Sequence, residues 1–238
     1  MKRVAVWTGG VFVALAALSY AGVSIFTADR LTRATNHPAG FDPRRWEPGA
    51  QAWSTRTIDS ITLRGWYLPT QERRHLIVLV HGMWSSWLEM ASLGRDLNEQ
   101  GFDVLLFDLR GHGESDPSRL YLGRRERADI RAVMTWANSV GFSHDRIGWL
   151  GYSMGGSTVL MEAARNPSIQ VAVLDSPYGD LPKLLNIQLP ERLVFRLVLH
   201  TCTVASGRPE STCTVMVWSR GAWVVWATRL QALCLGDS

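Results

Sequence analysis

Leu76 to Val80 reads L-I-V-L-V, five apolar residues with no polar alternation. A run that short and that rich in β-branched side chains suits a strand buried on both faces, as in a parallel sheet covered by helices on each side. Further strands are read at Phe102 to Phe107, Arg146 to Leu150 and Ile169 to Leu174, and a looser one at Ile58 to Tyr67. Helical spacing separates them. Trp87 to Gln100 repeats Leu88, Ala91, Leu93 and Leu97 and stops at Gly101. Arg124 to Val140 turns Ala128, Ile130, Ala132, Val133, Trp136 and Ala137 inward, and Arg124, Arg125, Arg127 and Arg131 read as its solvated face. Ser157 to Arg165 is a third helix. Strands alternating with helices build β-α-β units, so the expected class is α/β with a mostly parallel sheet and helices on both faces.

Such sheets bind ligands at the carboxyl ends of their strands, and the polar motifs fall there. Gly151-Tyr152-Ser153-Met154-Gly155-Gly156 lies between a strand and a helix. A serine on so tight a turn needs small neighbours. Gly151 and Gly155 let the backbones approach, and Ser153 is pushed outward with its hydroxyl exposed. The following helix points its N-terminus at the same spot, which favours an oxyanion. His81-Gly82-Met83 directly follows Val80, and the backbone N–H groups of Met83 and Met154 are the expected oxyanion pair. His81 reads as a turn-stabilising residue, because it precedes Ser153 whereas the base of such a constellation comes last. Asp108-Leu109-Arg110-Gly111-His112-Gly113-Glu114-Ser115 follows Phe107, and His112 reads as a brace for that loop.

The stretches LIVLVHGMWSS, VLLFDLRGHGESD, GYSMGG and AVLDSPYGDL, in that order, resemble the α/β-hydrolase family over about residues 57 to 185. The resemblance is to its serine-nucleophile branch, with serine-aminopeptidase-like and monoacylglycerol-lipase-like enzymes, which often carry an N-terminal membrane anchor. It implies an α/β-hydrolase fold. It also implies that Ser153 attacks an ester, thioester or amide carbonyl of a small acyl substrate to give an acyl-enzyme. A serine here, rather than an aspartate, argues against the haloalkane dehalogenase and epoxide hydrolase branches. No cofactor and no metal ion is expected. Trp84, Trp87 and Met90 beside the oxyanion loop, with Tyr178, fit either an apolar acyl pocket or plain core packing.

The family also needs an acid and then a histidine downstream of the serine. The acid usually follows the strand after Ile169–Leu174, and the histidine one strand more. After Ser153 the only histidine is His200. A formal order Ser153, Asp175, His200 can be written, although Asp-Ser-Pro at this place is usually structural and His200 closes the apolar run Leu193 to Leu199. From Thr201 onward the composition changes. All three cysteines, Cys202, Cys213 and Cys234, lie there, Trp218, Trp223 and Trp226 crowd together, and Glu210 and Asp237 are the only acids. Domains of this fold run to about 200–250 residues, and 182 remain from Thr57. The core is therefore expected to be incomplete at its C-terminal end, with Thr212 to Trp218 and Ala222 to Ala227 as strands. A reading-frame shift or equivalent break near residues 195–205 is the expected cause, with weak catalysis as its result. The alternative to a working hydrolase is an impaired remnant or a non-catalytic binding protein.

Val4 to Ala28 is an uncharged run of 25 residues behind Lys2 and Arg3. As a helix it reaches about 37 Å, against a hydrocarbon core of about 30 Å. It reads as an uncleaved membrane anchor, with a signal peptide cut after Ala21 as the competing reading. The organisation expected is anchor or signal 1–28, a Pro-containing linker 29–56, hydrolase core 57–200 and atypical tail 201–238. Of 25 basic residues, 23 are arginines spread along the chain, for a net charge of +4. No dense basic block with interleaved aromatics exists, which argues against nucleic acid as a partner. The absence of a CxxC pair excludes a zinc ribbon or thioredoxin-like site.

Overall fold

The computed structural model describes residues 2–34, 36–72, 75–178, 214–219 and 222–227. The first element, α1 (Lys2–Thr32), belongs to a different unit from the sheet and is described by itself. Its apolar residues surround the helix rather than forming one stripe, which suits a surrounding of lipid better than one protein face. Within Gly10–Thr32 an 18-residue window has a mean hydropathy of 2.0, long and apolar enough to cross a membrane by length and composition. The helix runs past Ala28 and ends beside an Asp29–Arg33 ion pair at 2.6 Å.

The remaining elements are β1 (Gln51–Arg56), β2 (Thr62–Leu68), β3 (Leu76–Val80), α2 (Ala91–Glu99), β4 (Asp103–Phe107), α3 (Arg127–Ser139), β5 (Ile147–Tyr152), α4 (Met154–Ala163), β6 (Val171–Asp175), β7 (Thr214–Ser219) and β8 (Ala222–Ala227). They form one sheet in the order β1-β2-β4-β3-β5-β6-β7-β8. Strands β4, β3, β5, β6 and β7 run parallel, while β1, β2 and β8 meet their neighbours antiparallel.

The pleat divides the core into two layers. Leu105 and Phe107 of β4 and Leu76, Val78 and Val80 of β3 pack with Ile130 and Val133 of α3 and Val159 and Leu160 of α4. Val104 and Leu106, with Leu79, face the other way, onto Trp87, Met90 and Ala91 of α2 and the turn before it. Both faces being covered explains why these strands read as continuous apolar runs, each fully buried Leu or Val contributing ~1.5–3 kcal/mol.

Two expectations need correction. Residues 29–56 are not a linker. Asp42 caps a 3-10 turn at Pro43–Arg45, Phe41, Trp46 and Ala50 pack on the second core layer, and Gln51–Arg56 is the edge strand β1. Pro43 starts that turn, and Trp53, 6% exposed, anchors β1 to the core. Arg127 and Arg131 are not merely solvated, because both donate to the buried Glu162 carboxylate at 2.9 Å. The strands expected in the tail are present as β7 and β8, at the end of the sheet. β7 lies parallel to β6, and β8, two residues later, returns antiparallel to β7. Residues 195–205, where the break is expected, lie outside the described residues.

Candidate active site at the carboxyl edge of the sheet

Register places the ends of the parallel strands side by side: Val80 pairs with Phe107 and Gly151, Tyr152 with Asp175, and Asp175 with Trp218. The motifs at 81–84, 108–116, 153–156 and 175–178 therefore converge on one edge. Ser153 bridges β5 and α4 with φ 49° and ψ −114°, a left-handed backbone that costs a non-glycine residue about 1–3 kcal/mol. Neighbours hold it there. Its N–H donates to the Asp175 carbonyl at 2.9 Å, and its own carbonyl accepts from the Ser157 N–H at 3.0 Å. A Cβ at Gly155 would meet the backbone oxygens of Val80 and His81, and one at Gly151 would stand 2.6 Å from Gly156. Helix α4 can thus cross this close to β3 and β5 only with glycine at both positions.

The loop after β3 leans on this turn. A Cβ at Gly82 would lie 3.5 Å from the Ser153 Cβ and 3.1 Å from the Tyr152 ring. Met83 follows, and among the described residues neither the Met83 N–H nor the Met154 N–H has a protein acceptor. The two donors singled out from the sequence are thus uncommitted, on the two loops that meet at Ser153.

His81 and His112 are both buried, with ring centroids 4.9 Å apart. His81 Nε2 accepts from the Leu109 N–H at 3.0 Å, so its proton sits on Nδ1 and donates to the Gly82 carbonyl at 2.7 Å. His112 Nε2 accepts from the Trp84 N–H at 3.2 Å, and its Nδ1 donates to the Arg110 carbonyl at 3.0 Å. All four ring nitrogens are committed to backbone. Burial pushes His81 down to about 4, and burial together with the neighbouring His81 does the same to His112. Both histidines are therefore loop braces, as read from the sequence.

Asp108, buried at the end of β4, clamps two loops together. It accepts from the Trp87 N–H at 2.7 Å and from the Glu114 N–H at 2.9 Å. Burial raises its carboxyl above the usual range, against the pull of those bonds. Arg110 is locked between Asp129 (Nε at 2.8 Å) and Asp59, whose carboxyl its hydrogen bonds hold far below the usual range. Asn36 Nδ2 donates to the carbonyls of Ser115, His112 and Gly113 at 2.6, 3.3 and 3.4 Å, tying the segment before β1 to the same loop. Sequence reading missed Asn36 and Asp108 as supports. For Asp108 its place at a strand end was a signal, but for Asn36, far away in the chain, there was none.

Of the proposed pocket residues, Trp87 and Met90 are core, 1% and 6% exposed. Trp84, held at φ 61°, is half-exposed, and Tyr178 packs partly buried against the first core layer. Asp175 receives the Ser153 N–H on its backbone oxygen, while its side chain accepts from the Ser176 hydroxyl at 2.8 Å. His200 lies outside the described residues.

This strand order, with a serine at the strained turn between β5 and α4, defines an α/β hydrolase. Residues 71–225 match the family described as serine aminopeptidase S33, and the chain belongs to that family. An uncharacterized Mycobacterium tuberculosis protein is 31% identical over 79% of this chain and 68% of its own length. A probable alcohol acetyltransferase of Saccharomyces cerevisiae is 33% identical over 44% of this chain. A probable lysophospholipase L2 of Haemophilus influenzae is 32% identical over 55% of it. The chain spans only 32% and 42% of the length of those last two relatives. Among solved structures, a Pyrococcus furiosus esterase superposes with a TM-score of 0.59 at 23% identity, covering 76% of this chain and 75% of that one. At that identity the likeness is one of fold.

Proposed function

We propose that the chain is a serine hydrolase of carboxylic esters or related small acyl compounds, acting through an acyl-enzyme on Ser153. The observation that carries this reading is the strained Ser153 backbone between β5 and α4, and it is supported by the Met83 and Met154 N–H groups, which have no protein acceptor among the described residues. In the proposed step the Ser153 Oγ adds to the acyl carbonyl as its proton is removed. The carbonyl oxygen takes up the charge facing the Met83 and Met154 N–H groups. The alcohol then leaves with a proton, and water later releases the acid. Asp175 and His200 are the candidates for acid and base. Covalent labelling by a fluorophosphonate probe tests the reading. Labelling lost in Ser153→Ala supports it, and labelling retained in that variant, or absent from the wild type, overturns it.

A second reading is a remnant that binds acyl compounds without turning them over. Two observations favour it. Both histidines described at this edge have their ring nitrogens committed, and β8 runs away from the edge. A triad member's loss costs roughly 10⁴- to 10⁶-fold in turnover. Labelling of Ser153 without p-nitrophenyl ester hydrolysis supports the remnant. Hydrolysis that His200→Ala abolishes makes His200 the base. We propose further that α1 is an uncleaved single-pass anchor, on the strength of the long apolar window within Gly10–Thr32. Carbonate-extracted membranes should then retain the protein, whereas a soluble form starting near Gly22 supports a cleaved signal.

A further inference from the structure

We propose that Glu89 is a positioning residue that sets the Met83 N–H toward Ser153, a role that rests on the hydrolase reading above. Gly82 precedes Met83 and, without a Cβ, rotates more freely than any other residue type at that place. Two side chains pin the peptides on either side of it. His81 Nδ1 donates to the Gly82 carbonyl at 2.7 Å, and the Gly82 N–H donates to Glu89 Oε2 at 2.7 Å. The peptide joining Gly82 to Met83 is planar and trans, so its N–H points opposite to the pinned carbonyl. Glu89 fixes the preceding peptide, and the two bonds together leave Gly82 one conformation.

Glu89 is well mounted for this. It sits in the 3-10 turn Trp87–Met90, whose Trp87 is buried and whose first N–H is held by Asp108. A Cβ at Gly82 would lie 3.3 Å from Glu89 Oε2 and 3.5 Å from the Ser153 Cβ, so carboxylate and serine flank the same point. Glu89 is exposed and has no basic partner among the described residues, and its carboxylate is engaged by the loop amide alone. Releasing that amide frees the Gly82 dihedrals, and the Met83 N–H then samples orientations away from a developing oxyanion. The loss falls on kcat rather than KM, because that donor acts on charge present only in the transition state.

The test compares the full-length wild type, Glu89→Ala, Glu89→Gln and Ser153→Ala. The measurements are fluorophosphonate labelling rate, amide hydrogen exchange across residues 81–90, and thermal unfolding. Removing an oxyanion donor outright costs about 10²- to 10³-fold, so loosening one in Glu89→Ala should slow labelling by roughly 10- to 100-fold. Exchange at Gly82 should rise and the unfolding temperature hold. Glu89→Gln keeps an acceptor oxygen and should label within about threefold of wild type. Equal rates for Glu89→Ala and wild type, or equal slowing in Glu89→Gln, overturn the proposal while leaving Ser153 as nucleophile. If the wild type is not labelled at all, the hydrolase reading fails and this role for Glu89 falls with it. Exchange that rises in Glu89→Ala and returns in Glu89→Gln would then still establish the pinned loop.

Discussion

Acidification should loosen the site through His81 and His112. Both imidazoles are neutral in the folded protein, with Nε2 accepting from a backbone N–H, and both are pushed down from 6.5 to about 4. A proton added at Nε2 would face another N–H across about 3 Å in a buried loop, with the second ring 4.9 Å away. The unfolded chain binds those protons near pH 6.5, so between pH 6.5 and 4 it holds more protons than the folded one. Stability therefore falls as pH falls through that window. By pH 4.5 the linkage amounts to a few kcal/mol, a large share of a domain's ~5–15 kcal/mol. Urea unfolding followed by fluorescence of the 11 tryptophans, at steps between pH 7.5 and 4.5, reads this directly. The double variant His81→Gln, His112→Gln should be less stable at pH 7.5 and far flatter with pH. A wild-type profile flat between pH 6.5 and 4.5, or a variant as steep as the wild type, would refute the reasoning.

Gly155→Ala drives a methyl group into the Val80 and His81 carbonyl oxygens and should cost about 3 kcal/mol or prevent soluble expression, as chemical denaturation would show. Glu162→Ala strands the Arg127 and Arg131 guanidinium groups beside a new cavity and should cost about 2 kcal/mol, less than a fully buried pair because both arginines reach solvent. Asn36→Ala removes the donor shared by three loop carbonyls. It should cost about 1–3 kcal/mol and raise hydrogen exchange across residues 112–116, whereas unchanged exchange would mean the strap is passive.

The parallel strands were legible because burial on both faces removes the polar alternation that other strands need, and L-I-V-L-V can do little else. The serine turn was legible because steric demands at Gly151 and Gly155 leave a trace in composition. The edge strand β1 was not. Its residues alternate in burial, Trp53 is its one deep anchor, and the flanking prolines imitate a linker until the turn at Pro43 is seen. Trp87 and Met90 could line a pocket or fill a core on any reading of residue type. They fill a core because the 3-10 turn before α2 lays them against Leu79 and Leu106.

Local chemistry alone thus determined the class of fold, the serine turn with its glycine neighbours and the apolar N-terminal helix. Each depends on periodicity or on a steric rule acting within a few residues. Only tertiary structure decided which polar groups are already spent. Whether a histidine is a base or a brace depends on what meets its two nitrogens. For His81 and His112 those partners are set by strand register, which brings residues 28 positions apart in the chain into contact. The same holds for Glu89, whose carboxylate reads as ordinary surface charge until the loop folds back and Gly82 presents its N–H.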